Sequence, residues 1–288
     1  VKKYLSLVKF SHTIFAMPFA LTGFFMGYAQ QPQDFKWHLL ALVVLCMVFA
    51  RNAAMGFNRW ADREIDRENV RTKIREIPSG MISPSAALWF VALNALAFIV
   101  VTFFINPLCF YLSPVALLVV LGYSYTKRFT ALCHLVLGLG LALAPVGAFV
   151  AVTGYFQPEP IILGVSVLTW VSGFDIIYAL QDEEFDKGKG LHSIPAFLGK
   201  SRALMVSNIL HAITAATIGY FSFSMTQNHD GPAALIWIAF GIFAALLVYQ
   251  HLLVKPHDLS KVNLAFFTTN GIASMLFGCL VILFILMG

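Results

Sequence analysis

Two short stretches place oxygen-bearing side chains one helical turn apart. The first, "NRWADREID", sets Asn58, Asp62 and Asp66 at intervals of four; the second, "YALQDEEFD", repeats the interval with Tyr178, Asp182 and Asp186, and Asp175 lies about one further turn back. Residues four apart on an α-helix share a face, so each stretch reads as a ladder in which Asp62 and Asp182 hold equivalent rungs. Like charges at this spacing repel, which makes the pattern costly unless something positive sits between the ladders. Carboxylate and amide oxygens suit Mg²⁺, which takes one or two protein carboxylates and completes its octahedron with water and phosphate oxygens. Two facing ladders could therefore hold Mg²⁺ through Asn58, Asp62, Asp66, Asp182 and Asp186, with a diphosphate between them. A solvated helix end whose carboxylates pair with nearby arginines accounts better for a single run; two runs at corresponding places favour the metal reading.

The cations around the ladders fit a phosphorylated ligand. Arg71 and Arg75 follow the first ladder in "RTKIREIPSG", Lys127 and Arg128 close "YSYTKRFT", and Lys187 and Lys189 follow the second ladder. Guanidinium and ammonium groups give charge-assisted hydrogen bonds to phosphate oxygens. Tyr123 and Lys127 form a YxxxK pair on one face. Arg51 lies on the face of Asn58 and roughly 10 Å deeper by helix rise. An arginine inside an apolar span is expensive and faces the bundle interior, either paired with a carboxylate such as Asp175 or gripping an anionic acceptor. His192 either touches a ligand or caps a loop.

The elements that must carry these residues are transmembrane helices. Of 288 residues, 59% are hydrophobic and 11% charged, where a soluble domain has about 25% charged; the mean hydropathy is +0.80. A bilayer core asks for roughly 20 apolar residues per helix, and nine spans of about that length are predicted, over 10–29, 38–57, 85–104, 107–123, 131–153, 161–180, 203–224, 232–253 and 264–287. The expected architecture is an all-α polytopic membrane bundle forming one domain over 1–288, with long loops at 58–84 and 181–202. The repeated ladders predict two halves related by an internal repeat, each ending in an acidic motif. The first span has the basic flank of a signal peptide, Lys2, Lys3 and Lys9, but its length and lack of a cleavage pattern read as a retained helix. Cys46, Cys109, Cys133 and Cys279 lie in spans without paired spacing, which argues against disulfides and zinc. The histidines form no HxxH or HxxxH pair, so a metal site would be built from oxygens.

A pI near 9.0 does not signal nucleic acid, because the basic residues gather on one side. That side holds Lys2, Lys3 and Lys9 together with both long loops, whereas the opposite loops hold Lys36 alone. Arg and Lys accumulate in cytoplasmic loops, so the ladders are expected to open to the cytoplasm.

In these motifs the chain resembles the UbiA superfamily of intramembrane prenyltransferases. "NRWADREID" with "REIPSG" is similar to that family's first acidic signature and its basic sequel, Tyr123 to Lys127 to its YxxxK, and "DIIYALQDEEFD" to its second. One departure is Arg59, where the family commonly has Asp. The resemblance implies transfer of a polyprenyl group from polyprenyl diphosphate to a small aromatic acceptor in respiratory quinone synthesis, in a bacterial inner membrane. It implies Mg²⁺ at the ladders, diphosphate at Arg71, Arg75, Tyr123, Lys127, Arg128 and Lys187, and acceptor at Arg51 and Tyr178. Asp175 is the candidate for removing a proton. Both 4-hydroxybenzoate and 1,4-dihydroxy-6-naphthoate carry a carboxylate that Arg51 could hold, and the first is preferred. A secondary transporter is the rival class, but its charged site belongs near the bilayer midplane, whereas these ladders lie at helix ends.

Overall fold

The computed structural model describes residues 2–8, 15–31 and 35–288. Lys9 and the first residues of the span expected over 10–29 lie outside them. Helices α1 (Lys2–Leu7), α2 (Met17–Gln30), α3 (Trp37–Ala61), α4 (Arg63–Glu68), α5 (Pro84–Phe103), α6 (Pro107–Thr126), α7 (Cys133–Thr153), α8 (Pro158–Ala179), α9 (Glu183–Gly188), α10 (Ile194–Leu198), α11 (Lys200–Asn228), α12 (Ala233–Leu253) and α13 (Asn270–Leu286) follow one another, with no strand among the described residues. Among those residues, eight helices are long and apolar enough to cross a membrane, α8 being counted through to Gly188 and α13 from Leu264. Helix α2 occupies the place of the first predicted span.

Several of these helices begin where the sequence says they should. Pro84, Pro107 and Pro158 open α5, α6 and α8, a position where the missing N–H costs nothing and the fixed φ suits the first turn. The Ser83 and Asn106 side chains accept from the N–H groups of Ala86 and Cys109, capping donors that would otherwise be unmet in an apolar setting.

Helix α7 packs against α2, α6 and α8, α8 against α11, α3 against α5 and α6, and α13 against α2 and α12. Aromatic rings fill the centre: buried Trp170 lies 5.3 Å from Phe19 and 5.5 Å from Phe243, and its Nε1–H donates to Asn270 Oδ1 at 3.1 Å. Within the α7 run "GLGLALAPVGA", Gly138 and Pro145 serve helix contact. A Cβ on Gly138 would strike the Leu168 carbonyl and Ser172 Oγ of α8, and one on Gly23 of α2 would strike the Pro145 carbonyl. Outward, α5 exposes Trp89, Leu93 and Leu96, and α6 exposes Tyr111, Val115 and Leu118. Apolar faces this large on long apolar helices are lipid-facing.

Both acidic stretches sit at a helix break. Helix α3 ends at Asp62 (φ −91, ψ 6) and α8, after one 3₁₀ turn, at Asp182 (φ −103, ψ 2); each aspartate then opens a short charged helix, α4 or α9. Such bridge-region angles are typical of functional positions. Hydrogen bonding runs on through the first break, Asp62 N–H to Asn58 O at 2.9 Å and Asp66 N–H to Asp62 O at 2.7 Å. The ladders are thus bent at their middle rungs rather than straight, because Arg63, Glu64 and Arg67 must leave the apolar layer at once. The equivalence of the two breaks accords with the repeat read from the motifs.

Candidate active site

The two breaks face each other across a cleft of about 210 Å³. Its walls come from the ends of α3, α6 and α8, from α4 and its following loop, from the start of α7, and from the loop after α9.

Each ladder aspartate meets a cation. Arg71 binds Asp182 through Nε at 3.0 Å and also through Nη2, while Asn69 donates to the same carboxylate at 3.2 Å. Arg75 Nη1 reaches both oxygens of Asp66, at 2.7 and 2.8 Å. Lys127 lies 2.8 Å from Asp186 Oδ1, and Arg128 lies 3.4 Å from Asp62 Oδ1 while also donating to the Ala61 carbonyl at 2.6 Å. Asn58 donates to Asp62 Oδ2 at 3.1 Å. Burial, and then the neighbouring Asp66 carboxylate, push Asp62 above the ordinary carboxylate range against the pull of Lys127 and Arg128. Burial pulls the Lys127 ammonium down, but Asp186 foremost, then Asp182 and Asp62, more than offset it. Burial likewise opposes Arg71, and its bonds to Asp182 prevail. These groups form a dense field of alternating charge that can be re-partnered by a charged ligand.

Asn58, Asp62, Asp66, Asp175, Tyr178 and Asp182 line the cleft, together with Arg71, Arg75, Tyr123, Lys127 and Arg128. Asp186 does not; it is fully buried behind Lys127 and accepts from Ser193 Oγ at 3.0 Å. Tyr178 is held in the wall by Arg71, which donates to its hydroxyl at 2.9 Å, and its ring packs tilted on Phe266 at 4.2 Å. Arg51 sits deeper in α3, off the lining, within electrostatic reach of Tyr123, which lies equally in the fields of Asp62 and Asp175. Lys187 turns away onto Glu183, one turn back on α9, and Lys189 pairs with Glu68. Neither lines the cleft, although the sequence motif placed Lys187 at the diphosphate. The His192 ring is exposed; its backbone N–H bonds the Lys127 carbonyl at 2.7 Å. Among the described residues no cluster of three or more His, Cys, Asp or Glu converges as a metal cage.

Sequence reasoning missed Asn69, Ser193 and His134. His134 opens α7 beside Asp175, with Nδ1 at 2.6 Å from Asp175 Oδ2. A lone histidine in an apolar run carries no spacing signal, and Asn69 and Ser193 acquire their roles only through contacts with carboxylates far away or across a turn.

An all-helical bundle with lipid-facing outer faces, opening at one end into a cleft of paired acidic and basic side chains, defines a polytopic membrane protein suited to an anionic ligand and its counter-cations. The chain belongs to the UbiA prenyltransferase family, whose family model matches residues 16–272. It is similar to the 4-hydroxybenzoate octaprenyltransferase of Saccharophagus degradans, 32% identical over 84% of this chain and 79% of that protein. Among solved structures it resembles an apo UbiA homolog from Aeropyrum pernix K1, 29% identical, TM-score 0.82, covering 94% of this chain and 97% of that one. It also shares its fold with a UbiA homolog from Archaeoglobus fulgidus bound to GPP and Mg²⁺, 22% identical, TM-score 0.73, covering 98% and 99% of the two chains. The chain is therefore a prenyltransferase, and the transporter reading is set aside.

Proposed function

We propose that this protein transfers a polyprenyl group from polyprenyl diphosphate to 4-hydroxybenzoate with Mg²⁺, in respiratory quinone synthesis, at a bacterial inner membrane with the cleft open to the cytoplasm. The observation that carries this is the meeting of both acidic breaks with Arg71, Arg75, Lys127 and Arg128 in one cleft at the loop end of an apolar bundle. Two comparisons support it: the relatives' octaprenyltransferase names, and the Mg²⁺ and prenyl diphosphates bound by the A. fulgidus homolog.

The donor set suits Mg²⁺, being all oxygen: Asn58, Asp62, Asp66 and Asp182 at the cleft, with Asp186 reached by displacing Lys127. When bound, the ion neutralises charge developing on the departing diphosphate. The chain's own cations act alongside. A diphosphate accepts bonds from Arg71, Arg75, Lys127 and Arg128, which exchange their carboxylate partners for phosphate oxygens, a pairing that strengthens as the C–O bond breaks. Ile65, Leu137 and Phe185 supply the apolar part of the wall, excluding water from the allylic cation. Tyr178, whose ring lies under the Arg71 guanidinium at 5.1 Å, offers an aromatic face where positive charge can rest. The acceptor enters on the Asp175 side, where its ring attacks the allylic carbon, with Arg51 drawing its carboxylate from deeper in α3.

The test is product analysis by mass spectrometry, using purified protein in detergent with a long-chain prenyl diphosphate and Mg²⁺. Prenylated 4-hydroxybenzoate is the expected product. Product from 1,4-dihydroxy-6-naphthoate alone would replace the acceptor and move the enzyme to a menaquinone route.

A further inference from the structure

The proposed reaction leaves the acceptor's protons without a path, and the structure holds a dyad suited to them. His134 is buried at the start of α7, and its Nδ1 lies 2.6 Å from Asp175 Oδ2. On the other edge of the ring the backbone N–H of Ile194 points at Nε2 across 3.3 Å. A donor there needs a lone pair on Nε2, so the network assigns the ring hydrogen to Nδ1, and His134 donates to Asp175. Asp175 keeps 23% of its side chain exposed and lines the cleft. It thus presents to the cleft a carboxylate with one oxygen fixed by His134.

The segment 192–194 joins this dyad to the diphosphate end. His192 N–H bonds the Lys127 carbonyl at 2.7 Å, Ser193 Oγ donates to Asp186 at 3.0 Å, and Ile194 N–H meets His134. Cys133 Sγ approaches the His192 carbonyl at 3.5 Å. Three consecutive residues therefore tie Lys127, the second acidic motif and His134 together.

We propose that His134 is the positioning residue of an acceptor-deprotonating dyad whose catalytic member is Asp175, held in register with the diphosphate end by residues 192–194. The inference rests on the aromatic prenyl transfer stated above. Asp175 takes the phenol proton, and the electron pair stays on the acceptor as a phenolate. The ring carbon then bonds the allylic carbon as the C–O bond to diphosphate breaks, giving a neutral dienone. The dienone loses its ring hydrogen to the departing diphosphate while Asp175 returns its proton to the oxygen, so one ring hydrogen is exchanged for one prenyl group.

The experiment compares wild type, Asp175→Asn, His134→Ala and His134→Gln on 4-hydroxybenzoate and ring-fluorinated analogues with more acidic phenols. A general base contributes typically 10²–10⁴-fold, so Asp175→Asn should lower kcat by about 100-fold or more on 4-hydroxybenzoate. That deficit should shrink by about tenfold on the most acidic analogue, where less help is needed. His134→Ala should show a smaller deficit that shrinks in the same way, and His134→Gln, which can still donate to Asp175 and accept from Ile194, should recover most of it. The KM for prenyl diphosphate should not move in any variant. Deficits equal across the phenol series, or a His134→Ala defect confined to the prenyl diphosphate KM, would overturn the dyad while leaving prenyl transfer standing. No turnover of any phenol by folded wild type would overturn both. If His134→Ala does not fold, Asp175→Asn and His134→Gln decide the matter by the same slopes.

Discussion

Asp182 holds Arg71 and Asn69, and Asp62 holds Arg128 and Asn58, so each central aspartate organises its basic neighbours in addition to the metal role proposed for it. Replacing one by alanine removes a proposed metal ligand and releases a guanidinium into the cleft. For Asp182→Ala we expect turnover to fall by at least about 100-fold, comparable to loss of one transition-state electrostatic partner, with thermal unfolding in detergent close to wild type because the aromatic centre around Trp170 is remote from it. Comparable activity at saturating Mg²⁺ would contradict the metal assignment. Arg51 calls for a different outcome. It lies off the cleft wall, near Tyr123, so Arg51→Ala should raise the acceptor KM by about tenfold, roughly 1.4 kcal/mol, and leave the prenyl diphosphate KM unchanged. An unchanged acceptor KM would make Arg51 a packing residue.

At the scale of elements, the site depends on how closely α7 and α8 approach, because α7 brings His134 and α8 brings Asp175 and Tyr178 and leads into Asp182. Gly138 permits that approach, its face lying directly on the Leu168 carbonyl and Ser172. A Gly138→Val side chain would have to push the helices apart, at a cost of about 1–3 kcal/mol or more. We expect a lower midpoint in thermal unfolding and a loss of acceptor turnover exceeding the loss of diphosphate binding. The helices themselves were legible from the sequence: the predicted spans 85–104 and 232–253 correspond to α5 and α12 within a residue at each end. Apolar length and N-terminal proline act locally. The bends at Asp62 and Asp182 were not legible, since i, i+4 spacing is the same for a straight helix and for one that turns at its middle rung.

Over the whole molecule, acidic and basic groups of the cleft are matched, so neither a bare cation nor a bare diphosphate finds an uncontested partner. A diphosphate that draws Arg71, Arg75 and Lys127 onto itself frees carboxylates for Mg²⁺, and Mg²⁺ on the carboxylates frees the cations for phosphate. The two should raise each other's affinity reciprocally, by about tenfold or more. Titration calorimetry of pyrophosphate with and without Mg²⁺ checks this, and equal affinities would refute it. Chelation should abolish turnover and leave helical content unchanged, because the buried core is apolar and aromatic.

The sequence alone determined the helical membrane class and the four-residue spacing of Asn58, Asp62 and Asp66 and of Asp182 and Asp186, because hydropathy and i, i+4 spacing are properties of a few consecutive turns. Only the tertiary structure decided which cation meets which carboxylate. Arg71 crosses 111 positions of sequence to reach Asp182, Lys187 stays on its own helix with Glu183, and Asp186 is sealed behind Lys127. It likewise decided that His134 belongs beside Asp175, 41 positions away. Such pairings are set by how helices from the two halves pack at one end of the bundle, and no local pattern of residues encodes that distance.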